Sequence, residues 1–357
     1  MRGQIAAYDR LNPIFGQVDL QINRAQPLHS AGIEFRRYPP AILRRGISSV
    51  RYIGEYAGGD GLTREFFSVV AASVVGNSST ALFTTHPRSG YERISGSASR
   101  LDEFRTLGQF FALSVISGNP TGIPLPTMFF RRLLGQTVSL DDVQVFDEDW
   151  VRGARGFVNI ATQEELDAIL CGDPLPGSGS DEPLTIENRD EMMQRAIENI
   201  ITNNSPAQFA AIAEGFFGVL PRDLFVGVSG EVLEAMIVGN LDVSAEGLRE
   251  HIAFDSSVPQ VQRNWLLNII DGFNATQRRQ FLRFVTGFSV LPATGWSSLG
   301  NMRVTGIPRM EGRRVVEPRS QTCFRSMLLP LYVTEEEMRE TLHNVLELAI
   351  DAGMQER

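Results

Sequence analysis

One stretch near the end of the chain constrains its fold more than any other. Pro318 to Thr322 is polar and turn-like, whereas Ser326 to Tyr332 is an apolar run typical of a buried strand. Cys323, one of only two cysteines, lies between these two runs. The pattern therefore predicts a strand preceded by a turn, with a thiol at the edge of a buried element.

Two interpretations of Cys323 follow from these residues alone. A free cysteine is commonly a small buried apolar residue. A thiolate, however, is a nucleophile, and nearby positive charge favours that form. The chain has a net charge of -9, yet six arginines against two glutamates lie in its segment 303–325. The arginines are Arg303, Arg309, Arg313, Arg314, Arg319 and Arg325, and the glutamates are Glu311 and Glu317.

Several motifs give this chain a recognisable resemblance. Pro-Arg-Ser-Gln-Thr-Cys-Phe at 318–324, with Leu-Leu-Pro-Leu-Tyr at 328–332, resembles the active-site segment of HECT-type ubiquitin ligases. Gly61 to Phe67 resembles a glycine-led Thr-Arg-Glu-Phe-Phe signature of that family, and Phe281 to Gly287 resembles a stretch that precedes its cysteine. Leu291-Pro292 and Gly295-Trp296 follow in the same order, and the similarity runs from about Ile47 to the last residue.

The resemblance implies an α+β, bilobal fold. A mostly helical N-lobe would span 1–239, with a small inserted subdomain at 136–184 that binds a ubiquitin-conjugating enzyme. A smaller α/β C-lobe carrying the cysteine would span 240–357, and a hinge at 238–242 would join the lobes. The implied partners are the charged conjugating enzyme, ubiquitin and a protein substrate.

The resemblance also implies roles for particular residues. Cys323 would accept ubiquitin as a thioester and pass it to a substrate lysine, and Thr322 would orient the cysteine. The chain departs from the family at Gln321, where many members have histidine, and at Arg325, where asparagine is usual. Met354 stands where many members have phenylalanine, four places from the end.

Two other functions remain compatible with the sequence. A thiol hydrolase would pair Cys323 with a histidine such as His343, and an interaction scaffold would keep the fold without activity. A ligase accumulates ubiquitin on Cys323, a hydrolase releases free ubiquitin, and a scaffold does neither.

The composition of the chain argues against several other classes of protein. The negative net charge argues against a nucleic-acid-binding protein, and no apolar run approaches the ~20 residues of a membrane helix. Two distant cysteines without a secretory segment favour a reducing compartment, so we expect a cytoplasmic protein, with the nucleus as a second location. Four scattered histidines predict no metal site, and no cofactor is expected.

Apolar periodicity and turn residues outline the remaining elements. Residues 1–46, rich in proline, are expected to be irregular with one short helix, and the acidic residues of 136–183 to form a solvated face. Phe146, Trp150 and Phe157 in this segment would be either partner anchors or core. The pattern predicts helices over 63–75, 102–116, 128–134, 190–202, 206–217, 230–238, 244–250, 259–273 and 334–352, and strands over 48–56, 302–307 and 326–332.

The chain contains no lysine, although it has 33 arginines. A ligase that carries an activated ubiquitin thioester exposes its own amines to that thioester at high effective concentration. Arginine keeps the positive charge but is not a nucleophile, because its guanidinium stays protonated. The absence of lysine therefore indicates either avoidance of self-modification or a compositional bias of the lineage, against which the fifteen asparagines argue.

We expect a lysine introduced at Arg313 or Arg319 to become modified with ubiquitin, because its amine would lie close to the thioester. Mass spectrometry of the variant after incubation with ubiquitin and its activating enzymes would locate the new site. The same substitution combined with Cys323→Ala should stay unmodified. If the lysine variants carry no more ubiquitin than the parent while still modifying substrate, avoidance of self-modification is ruled out as the reason for the missing lysines.

Overall fold

The computed structural model describes residues 3, 17–55, 59–76, 81–95, 100–308 and 317–351. Residues 56–58, which precede the motif Gly61–Phe67, lie outside this set. Arg309, Glu311, Arg313, Arg314 and Met354 lie wholly outside it. No helix within these ranges is long and apolar enough to cross a membrane. No group of three or more histidine, cysteine or acidic side chains within them is arranged to hold a metal ion.

The first two thirds of the described chain are mainly helical. The strands are β1 (Val18–Ile22), β2 (Ile47–Tyr52), β3 (Phe83–Thr85) and β4 (Glu92–Ile94). The helices are α1 (Pro27–Phe35), α2 (Pro40–Leu43), α3 (Asp60–Val74), α4 (Leu101–Ser117), α5 (Thr127–Leu133), α6 (Leu140–Gln144), α7 (Glu148–Val158), α8 (Gln163–Leu170), α9 (Arg189–Thr202), α10 (Pro206–Val219) and α11 (Gly230–Ile237).

The last third combines a sheet with helices. Its strands are β5 (Ile252–Phe254), β6 (Met302–Ile307), β7 (Arg319–Gln321) and β8 (Ser326–Pro330). Its helices are α12 (Ala245–Glu250), α13 (Gln260–Asp271), α14 (Ala275–Thr286), α15 (Trp296–Leu299) and α16 (Glu335–Asp351). A mainly helical part with two small sheets, followed by a part that combines a four-stranded sheet with helices, fits the α+β class.

The buried apolar side chains form two clusters. The first core contains residues between Val18 and Val238 and is dominated by aromatic rings of α3 and α4, such as Phe66, Phe67 and Phe110. The second core contains residues between Val243 and Leu346. It surrounds a sheet of order β5-β6-β8-β7, in which β5, β6 and β8 are parallel and β7 is antiparallel to β8.

The prediction of an irregular segment over 1–46 is wrong for the part that the structure describes. β1 buries Val18, Leu20 and Ile22 and pairs in parallel with β2. Both helices of the segment begin at a proline, Pro27 for α1 and Pro40 for α2. Proline is favoured in the first helical turn because the N–H it lacks would have no partner there. These prolines therefore start helices rather than interrupt them.

The acidic segment 136–183 is only partly the solvated face that was expected. Asp141 and Glu148 are well exposed, but Asp142 completes a capping box with Ser139 at the start of α6. Asp147 caps α7, accepting a hydrogen bond from the Trp150 N–H. Carboxylates at these positions satisfy N–H groups that would otherwise lack partners.

The apolar residues Val261, Trp265, Ile269 and Phe273 have helical spacing and predict a buried stripe along α13, which the buried Ile269 and Phe273 confirm. Val261, expected in the core, is 51% exposed, whereas Gln262, Leu266 and Ile270 are buried. Gln262 occupies an apolar position because its amide donates to the Tyr332 carbonyl at 2.8 Å and its oxygen accepts from the Tyr332 N–H at 3.3 Å. These two hydrogen bonds stabilise the buried Gln262, and the neighbouring Val261 lies on the exposed side of the helix.

Helices α4 and α10 cross so closely that both carry glycine at the contact. A Cβ atom on Gly108 would lie 2.0 Å from the Ile212 carbonyl oxygen, and one on Gly215 would lie 1.9 Å from that of Arg105. Neither distance is compatible with a side chain unless the helices move apart. The crossing therefore depends on these two glycines.

We expect Gly215→Ala to destabilise the first core by about 2–3 kcal/mol, because the added methyl group overpacks a backbone contact. Gly218→Ala in the same helix is the matched control, since a Cβ atom there would meet nothing within 4 Å. That control should be neutral or stabilising by up to about 1 kcal/mol. Urea unfolding of both variants measures the difference, and equal effects would contradict the proposed close crossing.

Candidate active site around Cys323

A tight hairpin presents Cys323. β7 and β8 pair antiparallel with Gln321 opposite Ser326, and 322–325 connect them. Residues 322–324 form one 3-10 turn, which the Arg325 N–H closes by donating to the Thr322 carbonyl at 3.2 Å. Arg325 has a φ of 50°, in the left-handed region that asparagine adopts more readily than arginine. The usual asparagine at this position of the family therefore suits the turn better.

The Cys323 side chain is exposed, so the interpretation of it as a buried core residue is wrong. Phe324 beside it is 78% exposed. His343, the histidine considered for a hydrolase, lies in α16 and packs its ring 5.7 Å from that of Phe273 in the second core. The hydrogen bond that the structure gives to the Cys323 sulfur comes instead from a backbone amide.

That amide belongs to Gly61, in the first turn of α3. Its N–H donates to Cys323 Sγ at an N···S distance of 3.2 Å. A Cβ atom at Gly61 would lie 2.3 Å from Thr322 Oγ1 and 3.1 Å from Sγ, so only glycine allows this approach. The glycine that led the motif Gly61–Phe67 is thus in direct contact with the candidate nucleophile.

Arg64, one turn further along α3, binds the backbone on either side of this contact. Its Nη1 donates to the Thr322 carbonyl at 2.8 Å and to the Thr286 carbonyl at 3.3 Å. Its guanidinium lies 5.5 Å from the centre of the Phe288 ring. Arg64 therefore connects α3 to the hairpin of Cys323 and to the end of α14.

Behind Arg64 lies a buried charge cluster. Arg24 donates to both carboxylate oxygens of Glu65, at 2.9 and 3.1 Å, and also pairs with Glu55. Burial opposes the charge on Arg24, but the hydrogen bonds to Glu55 and Glu65 outweigh it and raise its pKa. Burial lowers the pKa of Arg283 in α14, against the opposing effect of Glu65. Burial, with the Glu65 charge adding to it, raises the pKa of Tyr52, whose ring lies beneath Arg24.

The other residues singled out from the sequence occupy varied positions. Thr322 offers its carbonyl to Arg64 and Arg325, as described above, and its side chain packs against Gly61. Arg303 and Arg319 are exposed, and the Arg325 guanidinium binds the Leu299 carbonyl. Phe146 is buried, and Trp150 and Phe157 are partly buried against the first core.

Sequence reasoning missed Gly61 and Arg64 as parts of the site, although a signal was present. Gly61, Arg64, Glu65 and Ser68 are spaced as one face of α3, in a helix otherwise expected to be buried. A polar face on such a helix indicates a second packing surface. The sequence could not reveal which segment packs against this second surface.

The fold and the site together define an α+β protein with an exposed cysteine at the centre of its candidate site. A family model described as HECT-domain (ubiquitin-transferase) matches residues 68–355, which is most of the chain. The chain therefore belongs to the HECT family.

Three relatives illustrate the similarity. E3 ubiquitin-protein ligase UPL1 of Arabidopsis thaliana is 24% identical over 92% of this chain, and a TOM1-like ligase of Neurospora crassa is 25% identical over 97%. E3 ubiquitin-protein ligase RSP5 of Chaetomium thermophilum is 24% identical over 95%. The matched region covers 10%, 9% and 44% of the length of these three relatives, so the chain spans about a tenth of the length of the first two.

Proposed function

We propose that this chain is the catalytic domain of a ubiquitin ligase that carries ubiquitin as a thioester on Cys323. The observation that carries the proposal is the exposed Cys323 thiol in a hairpin turn, with the Gly61 N–H on its sulfur. Membership of the HECT family and the names of the relatives as ubiquitin-protein ligases support it.

The reaction takes place in two steps. First, the Cys323 thiolate attacks the carbonyl carbon of the thioester that joins ubiquitin to a conjugating enzyme. A new S–C bond forms, the old one breaks, and the conjugating enzyme leaves as a thiolate. One thioester replaces another, so the step is nearly balanced in free energy and depends mainly on positioning.

In the second step an amine of the substrate attacks the new thioester. The C–S bond breaks, its electron pair returns to Cys323 Sγ, and the amine nitrogen forms an amide with ubiquitin. The proton of the amine passes to water or to a carboxylate. Glu317, which is exposed and close to Cys323 in the chain, is one candidate. Thr322 supports the geometry through its carbonyl, which Arg64 holds.

For the conjugating enzyme we propose the segment 136–184 as the docking surface. The aromatic residues first considered as anchors are wholly or partly buried, but other apolar side chains of the segment face solvent. Val145 is 67% exposed, Ile169 60% and Val158 39%. Exposed apolar side chains on a small helical segment suit a protein partner.

We expect the wild-type protein to form a reductant-sensitive ubiquitin adduct when supplied with a charged conjugating enzyme. Cys323→Ser should give a reductant-resistant ester or no adduct, because an oxygen ester is not cleaved by thiols. Cys171→Ser is the matched control, since Cys171 is also exposed, and it should charge normally. Non-reducing gels of these three proteins and of Cys323→Ala measure the result.

The same gels separate the alternatives. Loss of the adduct in Cys171→Ser but not in Cys323→Ala would show that the wrong cysteine was assigned. Release of free ubiquitin without an adduct would support a hydrolase, and absence of both would support a scaffold.

We also propose that the two cores are lobes joined by a hinge at Gly239. The chain is held on both sides of this residue: the Val238 carbonyl accepts from the Gly122 N–H at 3.0 Å, and Asn240 exchanges two hydrogen bonds with Leu291. Gly239 itself has a φ of 80°. Hinges commonly consist of a few such residues between well-anchored segments.

A reversible disulfide between the lobes tests the hinge. Ser68 Oγ in α3 and Ser289 Oγ lie 3.4 Å apart, so Ser68→Cys combined with Ser289→Cys should form a bridge on oxidation. The bridged protein should accept ubiquitin at least roughly tenfold more slowly, because Cys323 could not leave α3 to meet the conjugating enzyme. A phosphine reductant, which does not exchange with thioesters, should restore the rate.

Each single cysteine variant serves as a control and should charge normally under both conditions. The experiment is best made with Cys171→Ser throughout, to remove an alternative thiol. A bridged protein that charges as fast as the reduced one would show that no lobe movement is needed.

A further inference from the structure

One face of α3 contacts the second core through hydrogen bonds of three residues, Gly61, Arg64 and Ser68. Gly61, Arg64, Glu65 and Ser68 follow the spacing of one helical face. Gly61 and Arg64 bind the Cys323 hairpin, as described above, and Glu65 faces the charge of Arg283. Ser68 Oγ donates to the Gly287 carbonyl at 3.4 Å. The opposite face of α3, with Phe66, Phe67 and Val70, is buried in the first core.

This contact is polar, and it is concentrated at the nucleophile. Arg64 holds the carbonyl of Thr322, the residue directly before Cys323, and the same hairpin brings the sulfur to the Gly61 N–H. A Cβ atom at Gly61 would collide with Thr322, so the glycine leaves the room that the hairpin needs. The residues of α3 therefore favour this approach both sterically and electrostatically.

A hydrogen bond onto sulfur affects the two steps of the reaction differently. It stabilises a thiolate, whose charge is then shared with the N–H donor. A stabilised thiolate is a better leaving group but a weaker nucleophile. The contact therefore favours the step in which the C–S bond breaks, and gives no advantage when Cys323 attacks.

We propose that Arg64 is a positioning residue for the second step, resting on the proposed ligase function. With the hairpin docked on α3, the substrate amine attacks the thioester carbonyl and the C–S bond breaks. The electron pair goes to Sγ, and the Gly61 N–H donates a hydrogen bond to the charge that develops there. Arg64 fixes the distance between that N–H and the sulfur by holding the Thr322 carbonyl.

The test separates charging from discharge. Wild type and Arg64→Ala are charged with ubiquitin by the conjugating enzyme that charges wild type, and free lysine is then added as the acceptor. Arg64→Ala should discharge roughly ten- to hundredfold more slowly, because small displacements of reacting groups have effects of this size. Its rate of charging should stay within about twofold of wild type, since that step does not use the contact.

Two further variants make the result specific. Arg64→Gln keeps one amide donor that can reach the Thr322 carbonyl, and it should recover part of the discharge rate. Lysine is not used at this position, because its amine would itself accept ubiquitin. Arg105→Ala is the matched control: Arg105 pairs with Asp102 and Glu214 within the first core, and its loss should change neither rate.

Slow discharge with normal charging, partly rescued by glutamine, supports the inference. Discharge of Arg64→Ala at the wild-type rate, or a parallel fall in both rates, would overturn it while leaving the proposed function intact. Failure of wild type to form the adduct would instead overturn the proposed function, and this inference with it.

Discussion

The position of Cys323 depends on one contact between the two cores, where α3 meets the hairpin that carries it. A backbone amide and a guanidinium from the first core bind the sulfur and the adjoining carbonyl of the second. An apolar side chain could not replace the guanidinium, because a carbonyl removed from water requires a hydrogen-bond donor. The hairpin is therefore held on α3 by specific hydrogen bonds, and such bonds can be broken and remade.

Helix α3 can hold this contact because its other side is fixed. Its aromatic face is buried among rings of α4, and Glu65 is anchored by Arg24. Glu65 is only 2% exposed, and loss of one partner of such a buried pair costs about 3–5 kcal/mol. The anchor keeps Arg64, the next residue in the helix, in register with the hairpin. Stability of the first core and geometry at Cys323 are thus linked through one turn of helix.

The sequence predicted most of the long helices and the strands β6 and β8 well, since their apolar periodicity is strong, but it missed helix α14. It did not predict β1, β3, β4, β5 or β7, which are short, and it treated Pro27 and Pro40 as breaks although they begin helices. At the site, the residues around Cys323 left two interpretations open and the resemblance to HECT ligases singled it out, whereas Arg64 was not recognised. The partner of Arg64 lies 258 residues away, and no local pattern encodes such a distant contact.

The position of Arg64 also bears on the absence of lysine from the chain. A long side chain with a hydrogen-bond donor is needed here to reach the Thr322 carbonyl, and arginine and lysine could both supply one. On the proposed function, however, a lysine at this position would place an amine beside the thioester permanently and would compete with every substrate. A guanidinium binds two carbonyls through one planar group and does not attack. Avoidance of self-modification is therefore a sufficient physical reason for arginine at position 64, independent of any compositional bias elsewhere in the chain.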